Sequence, residues 1–167
     1  MSIADAVARA SAYLTDHPDE AHYRDSAATA TITTGLVATV TGPGGERLTT
    51  DMPAGIGGTA TAPSPGFLMR AAAASCVASL IAIRAATLGA IVGGIEVTVD
   101  SESDDRGILG LDDSIAAGAL SVRVAVRFTG TDLDAEWQRD VAAWAVAHCP
   151  VTESLTRSIP LDIELLA

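Results

Sequence analysis

The stretch RAAAASCVASLIAIRAATLG, residues 70–89, is the most apolar part of the chain and organises the rest. Ser64 followed by Pro65 is a typical helix start, with serine as the cap and proline at the first helical position. Gly89 is a typical helix stop. We therefore predict one long core helix over residues 65–88, with Cys76 about three turns from its start.

Strand patterns lie on both sides of this helix. Residues 29–52 are rich in Thr and Val and contain a Gly-Pro-Gly-Gly turn at 42–45, which predicts two or more antiparallel strands. Residues 95–102 and 119–130 alternate apolar and polar side chains, which predicts two half-buried strands. The same alternation over residues 160–167 predicts a closing strand.

Three further helices complete the predicted order. Ser2 and Asp5 form a capping-box pattern before an amphipathic N-terminal helix, and Thr131 with Asp134 opens a second long helix. Pro150 interrupts that helix and suits the first position of a new short one, which would place Cys149 at its N-terminus. Helices and strands in this order, without a crossover helix between every pair of strands, predict an α+β fold. We divide the chain into an N-terminal helix and linker, residues 1–27, and a single domain, residues 28–167.

Composition and charge exclude several classes of function. The 167 residues carry a net charge of −11, and the ten cations are scattered arginines with no lysine, so a nucleic-acid partner is not expected. About half of the residues are hydrophobic, as in a globular protein with a core. The uncharged run between Arg70 and Arg84 is shorter than the roughly 20 residues that cross a bilayer. We predict a cytoplasmic protein without a membrane partner.

The two cysteines leave several interpretations open. Cys76 and Cys149 are too few for a secreted disulfide framework or for a zinc site made of thiolates alone. Cys76 is either a packed core thiol, inert because burial raises its pKa, or a nucleophile. Backbone N–H groups after Cys149 can stabilise a thiolate there. His148 is its neighbour, but adjacent helical side chains point about 100° apart and are not expected to meet.

Four stretches together resemble the OsmC/Ohr family of osmotically induced and organic-hydroperoxide-resistance proteins. The likeness runs from about Thr29 to the C-terminus, and the RGILGLDD stretch, residues 106–113, indicates the OsmC-like branch. The four stretches are GGTATAPSPGFLMRAAAASCVASL (57–80), GGIEVTVD (93–100), DDRGILGLDDSIAAGALSVRVAVRF (104–128) and HCPVTESL (148–155).

The resemblance implies a fold, an assembly and an activity. The fold is an intertwined homodimer in which antiparallel sheets wrap around long central cysteine-bearing helices. The activity is that of a thiol peroxidase: Cys76 attacks an organic hydroperoxide and becomes a sulfenic acid, Cys149 resolves it to a disulfide, and a dithiol such as a lipoyl group reduces that disulfide. No flavin, haem or metal is implied.

The chain departs from the family at the groups that activate the thiolate. The family uses an arginine held by a glutamate shortly after the proline that opens the helix, but here Gly66 and Phe67 follow that proline, and TATITT (29–34) stands where the arginine is expected. Arg24 and Arg106 are candidates to stabilise a Cys76 thiolate instead; Arg70 falls nearly opposite Cys76 on an ideal helix. The alternative hypothesis is therefore an OsmC-fold dimer that binds a small lipophilic or thiol ligand with little or no peroxide turnover.

Overall fold

The computed structural model describes residues 1–166, which form α-helices, short 3-10 helices and antiparallel sheets. The helices are α1 (Ile3–Asp16), α2 (Pro65–Thr87), α3 (Asp105–Ile108), α4 (Ala135–Ala147) and α5 (Pro150–Thr156), with 3-10 helices at Pro18–Ala21 and Ala54–Ile56. The strands are β1 (Thr29–Ile32), β2 (Ala38–Thr41), β3 (Arg47–Thr50), β4 (Gly94–Glu102) and β5 (Ser121–Thr129). All strand pairs within residues 1–166 are antiparallel, which confirms the predicted α+β class.

The chain divides into two compact units. One unit consists of residues 8–71 and holds β1, β2 and β3; the other consists of residues 1–7 and the residues from Ala72 onward, and holds β4, β5 and both cysteines. The division into residues 1–27 and 28–167 stays a prediction.

Helix α2 begins and ends where its flanking residues predict. The Phe67 amide donates to Ser64 Oγ at 3.2 Å, and Gly89 adopts a φ of +70°, a left-handed conformation that glycine reaches without steric cost. Every fourth residue from Ala73 to Ala85 is buried, so a single stripe faces the core. The stripe consists of Ala73, Val77, Ile81 and Ala85.

Helix α2 is also long and apolar enough, by length and composition, to cross a membrane, and it is the one such helix within residues 1–166. The uncharged run covers only residues 71–83, whereas the helix extends past Arg70 and Arg84 at both ends. A core helix passes the same test, and Val77 and Ile81 are fully buried in the core cluster of their unit. This packing covers one stripe of α2, and 17% of the apolar stretch of the helix is buried within the described residues.

Strands β4 and β5 pair along their whole length and present one apolar face to this core. Opposed pairs such as Val97 with Val126 and Val99 with Val124 fall in register, and the alternating positions carry charge. On the other face, Arg123 pairs with Asp100 at 2.6 Å. This alternation of apolar and charged positions is the predicted half-buried pattern.

The sheet of the other unit has the order β1-β2-β3. The turn predicted at residues 42–45 connects β2 to β3: the Gly42 amide donates to the Glu46 carbonyl at 3.1 Å, and Gly45 has a φ of +90°. The prediction of two or more antiparallel strands is confirmed, with three strands present.

A buried carboxylate fixes the loop that follows β3. Asp51 is 1% exposed, and its side chain accepts five hydrogen bonds, from the amides of Met52, Thr59 and Thr61 and from the hydroxyls of Thr59 and Thr61. The Thr59 hydroxyl, followed by the Thr61 amide, holds the pKa of this carboxyl far below its usual range. The Gly- and Pro-rich loop is therefore ordered by one charge rather than by apolar packing.

Two predicted details are wrong. No strand forms over residues 160–166, and the side chains of Leu161, Ile163 and Leu165 are 88%, 86% and 93% exposed; residue 167 lies outside the described residues. Alternation describes side chains only, and a strand also needs a neighbouring backbone to pair with. Thr131 does not open α4: the N-cap is Asp134, whose Oδ1 accepts from the Trp137 amide at 2.8 Å.

Replacing Asp51 tests the role of this carboxylate. Asp51→Ala leaves the Thr59 and Thr61 donors without an acceptor, so we expect the midpoint of thermal unfolding to fall by at least about 5 °C at pH 7. Because the folded pKa is depressed, the stabilisation is present above the unfolded pKa of about 3.9 and is lost as the pH falls below it. The difference between wild type and variant should therefore shrink in acid. The exposed Asp25 supplies the control, Asp25→Ala, and equal midpoints for all three proteins would refute the role.

Candidate active site

Cys76 lies on α2, one residue before the buried Val77 of the core stripe. Its side chain is half-buried and packs against the cluster formed by Val77, Ile81, Val141, Ala145 and Cys149. The thiol thus borders an apolar core and keeps part of its surface accessible. Cys76 is neither a fully enclosed core residue nor an exposed surface thiol.

Cys149 is the N-cap of α5 and is fully buried. Pro150 occupies the first helical position, as the sequence predicts, and supplies no amide hydrogen. The next free donors point back at the cap: the Thr152 amide donates to Cys149 Sγ at 3.5 Å. The Thr152 hydroxyl donates to the Val146 carbonyl at 2.7 Å and ties α5 to the end of α4.

The two cysteines are free thiols in contact with each other. Burial raises the pKa of the Cys76 thiol; a hydrogen bond to Cys149 and the charge of Cys149 raise it further, and the Val151 amide offsets part of this effect. None of these groups is a cation. The thiols therefore titrate as a pair, and the charge on one opposes charge on the other.

Cys149 is the member of the pair that favours the thiolate. Its burial alone would raise the pKa, but hydrogen bonds from the Thr152 amide, the Cys76 thiol, the Thr152 side chain and the Val151 amide outweigh burial and lower it. Hydrogen bonds thus favour the thiolate form of Cys149, whereas burial disfavours that of Cys76.

The arginines considered as thiolate stabilisers have other surroundings. Arg106, at the start of α3, forms a bidentate pair with Asp104, with Nη2 at 2.6 Å from Oδ2. This pair raises the pKa of the guanidinium, and the Arg106 side chain is 61% exposed. Arg24 is exposed in the segment between the first 3-10 helix and β1. A role for Arg24 or Arg106 in activating Cys76 stays a prediction.

His148, the neighbour of Cys149, contacts Trp144. Its ring stacks on Trp144 with centroids 4.2 Å apart, and its Nδ1 lies 2.8 Å from the Trp144 carbonyl oxygen. The guanidinium of Arg84 covers Trp144 at 4.8 Å. Within residues 1–166, no group of three or more His, Cys, Asp or Glu side chains could hold a metal ion.

Thr152 and Val151 are the site residues that sequence reasoning missed. A cap at Cys149 places Val151 and Thr152 at the second and third helical positions, whose amides point toward the cap side chain. The order Cys-Pro-Val-Thr at residues 149–152 therefore predicts that these two amides point toward the Cys149 side chain. It identifies a hydrogen-bonded sulfur even without a basic residue nearby.

Comparison with known proteins identifies the family. A family model described as OsmC-like protein matches residues 58–164. No match was found among the curated proteins.

Solved structures share the fold at low sequence identity. An organic hydroperoxide resistance protein OsmC from Legionella pneumophila is 21% identical over 80% of this chain and 90% of that chain, with a TM-score of 0.64. An organic hydroperoxide resistance protein from Elizabethkingia anophelis is 20% identical over 80% and 89%, also with a TM-score of 0.64. An OsmC-like protein from Mycoplasma pneumoniae is 12% identical over 81% and 89%, with a TM-score of 0.68.

Mild oxidation tests the contact between the two thiols. A thiol oxidant such as diamide should convert the reduced protein to an intrachain Cys76–Cys149 disulfide, because both thiols are free and Cys76 packs against the cluster that contains Cys149. Peptide mapping without reductant would find the two cysteine peptides joined. Cys149→Ser should give no intrachain product, and a wild-type protein that forms only links between chains would contradict the geometry.

Proposed function

Since the chain belongs to the OsmC-like protein family, we propose that it is a thiol-dependent peroxidase that reduces organic hydroperoxides. The observation that carries the proposal is the contact between two free thiols on different elements, Cys76 on α2 and Cys149 before α5. A sulfenic acid formed on one sulfur needs a second thiol within reach to close a disulfide. The two free cysteines provide one sulfur for the sulfenic acid and a second thiol for the disulfide.

The half-buried position of Cys76 suits it to the first step. Its sulfur attacks the terminal oxygen of the hydroperoxide, the O–O bond breaks, the alcohol leaves, and Cys76 becomes a sulfenic acid. Cys149 then attacks that sulfur and expels water, which closes the disulfide. A dithiol reductant, such as a lipoyl group, returns the pair to its reduced form by thiol–disulfide exchange.

The surroundings of Cys76 favour a hydroperoxide with an organic tail. The thiol packs beside apolar residues, among them Val77 and Ile81. Each CH₂ group that such a tail buries contributes about 0.8 kcal/mol, a gain that hydrogen peroxide cannot make. We therefore assign alkyl hydroperoxides as the substrate class.

The proposed chemistry takes place in a reducing compartment and draws its electrons from the thiols. A cytoplasmic location keeps both cysteines reduced between turnovers. No flavin, haem or metal takes part in any step, because the two sulfurs and the dithiol supply both electrons.

We also propose that the chain functions as a homodimer. Helix α2 buries only one stripe of its apolar surface in its own chain, and the apolar side chains of the C-terminal tail are exposed. Large exposed apolar surfaces commonly mark interaction sites. A second copy of the chain would cover these groups.

One observation favours a second candidate function, a dimer that binds a small lipophilic or thiol ligand without efficient turnover. The pKa of Cys76 is raised and no cation is among the groups that shift it, and each unit of pKa above the working pH removes a factor of ten in thiolate. An apolar groove of about 560 Å³ between β5 and α4 offers such a ligand room; it is lined by Val122, Val124, Val126, Arg139, Ala142, Ala143, Val146 and Ala147.

Exposure to an organic hydroperoxide separates the two functions. Reduced wild-type protein mixed with cumene hydroperoxide should lose both thiols within seconds to minutes and react more slowly with hydrogen peroxide, as followed by mass spectrometry. Cys76→Ser should lose none. Binding of the hydroperoxide with both thiols intact would reject the peroxidase and leave the ligand-binding function.

Mass in solution tests the dimer. Wild-type protein should sediment with twice the 16.9 kDa mass of one chain. Ile163→Asp with Leu165→Asp places charge on the apolar side of the tail and should weaken dimerisation at least about tenfold, because a buried unpaired carboxylate is costly. Glu164→Gln, on the alternate side of the tail, is the matched control. A wild-type monomer at all concentrations would disprove the assembly.

A further inference from the structure

The two free thiols form a pair of soft ligands at the edge of an apolar cluster. Cys76 packs against the cluster that contains Cys149, and a hydrogen bond joins the two side chains. The cysteines belong to different elements, α2 and the cap of α5, so the fold itself brings both sulfurs to one place. Cys76 is half-buried, which leaves one side of the pair accessible to a small molecule.

The number of ligands at the pair does not match the coordination of zinc. Zinc takes four protein ligands at structural sites and three at catalytic ones. Among residues 1–166, no group of three or more His, Cys, Asp or Glu side chains could hold a metal ion. The nearest histidine in the chain, His148, stacks on Trp144, with its Nδ1 at 2.8 Å from the Trp144 carbonyl oxygen. The pair instead suits a thiophilic element that two sulfurs satisfy.

Charge and geometry narrow the choice among such elements. The surrounding side chains of Val77, Ile81 and Val141 are apolar, and in the described part of this unit no cation is among the groups that shift the pKa of either thiol. Two thiolates with Cu(I) leave a net negative charge, which is costly in apolar surroundings. Two thiolates with Hg(II) are neutral, but their linear complex holds the sulfurs farther apart than a hydrogen-bonded pair. Two thiolates on an organic arsenic(III) group are also neutral, and the bent S–As–S unit keeps the sulfurs close.

We propose that Cys76 and Cys149 together bind a trivalent arsenical that carries one organic substituent. Both sulfurs bond to the arsenic, and the substituent lies on the accessible side of Cys76, where the half-buried Leu80 follows one helical turn later. The site needs only the reduced pair and no hydroperoxide, so it stands independently of the peroxidase function. An occupied pair has no free thiol, and the arsenical therefore also blocks the peroxidase chemistry.

The reaction exchanges the ligands of arsenic without a change in oxidation state. Phenylarsine oxide reacts as its hydrate, in which the arsenic carries one phenyl and two hydroxyl groups. Each cysteine forms an As–S bond as an As–O bond breaks, and each thiol proton leaves with a hydroxyl group as water. The products are one cyclic dithioarsenite per chain and two water molecules, so no oxidant or reductant is consumed.

Intact-mass measurement of the reduced protein with phenylarsine oxide tests the pair. The wild type should gain one phenylarsenic group and lose two hydrogens, and neither cysteine should then react with iodoacetamide. Cys76→Ser should weaken binding at least about a hundredfold, because the second sulfur of a chelate attaches in an intramolecular step. Cys149→Ala should have the same effect, and the near-ultraviolet spectrum of the tryptophans shows whether each variant is folded. Ser79→Ala, on the exposed side of α2, is the matched control and should bind as the wild type does.

Inorganic arsenite tests the organic substituent. Arsenite places a hydroxyl group where phenylarsine oxide places a ring, so it should bind at least about tenfold more weakly beside apolar side chains. Affinity for arsenite equal to or higher than that for phenylarsine oxide overturns the assigned ligand class.

The position of the adduct decides the remainder of the proposal. An adduct on one sulfur only, or one that joins two chains, overturns it, and so does a folded Cys76→Ser protein that binds as tightly as the wild type. Wild-type protein that binds the arsenical through both cysteines of one chain but leaves hydroperoxides intact supports the site and overturns the peroxidase function.

Discussion

The packing of one stripe of α2 against the core of its unit is the constraint on which the site depends. Val77 and Ile81 are fully enclosed beside Val141, Ala145 and Cys149, so the rotation of the helix about its axis is fixed. Cys76 precedes Val77 and therefore lies at the edge of that stripe. Shape complementarity in the apolar core thus positions a thiol against another thiol from the far end of the chain.

The electrostatics of the pair follow from this packing together with the start of α5. An apolar wall raises the pKa of any thiol placed against it, and a nearby positive charge or hydrogen bonds to the charged form can offset that effect. Those bonds reach Cys149 from the Thr152 and Val151 amides. The pKa of Cys149 is therefore lowered with no basic side chain among the groups that shift it.

Local signals in the sequence predict most of the elements that carry the site. Ser64, Pro65 and Gly89 determine the ends of α2, and Pro150 predicts both α5 and the capping position of Cys149. What the sequence could not provide is the order of the two pKa values. That order depends on which sulfur receives the amides and on a contact between residues 76 and 149, which no local pattern encodes.

Long-range and assembly-dependent features were also beyond the sequence. The five donors gathered by Asp51 come from a loop whose composition predicts only irregular backbone. The alternation of residues 160–166 predicts a strand, but the backbone that would pair with it is not found within the described chain. Side-chain patterns identify which face is apolar, whereas pairing is a property of two segments.

Because the Cys149 sulfur is both the cap of a helix and half of a thiol pair, the stability of α5 and the redox potential of the pair are linked. A thiolate accepts the Thr152 amide more strongly than a neutral disulfide sulfur does, so the cap stabilises the reduced form. A helix cap contributes about 1 kcal/mol, which corresponds to a rise in reduction potential on the order of 20 mV. Oxidation of Cys149 would therefore weaken the first turn of α5, and a change that strengthens the cap in the reduced form alone would make the protein a stronger oxidant.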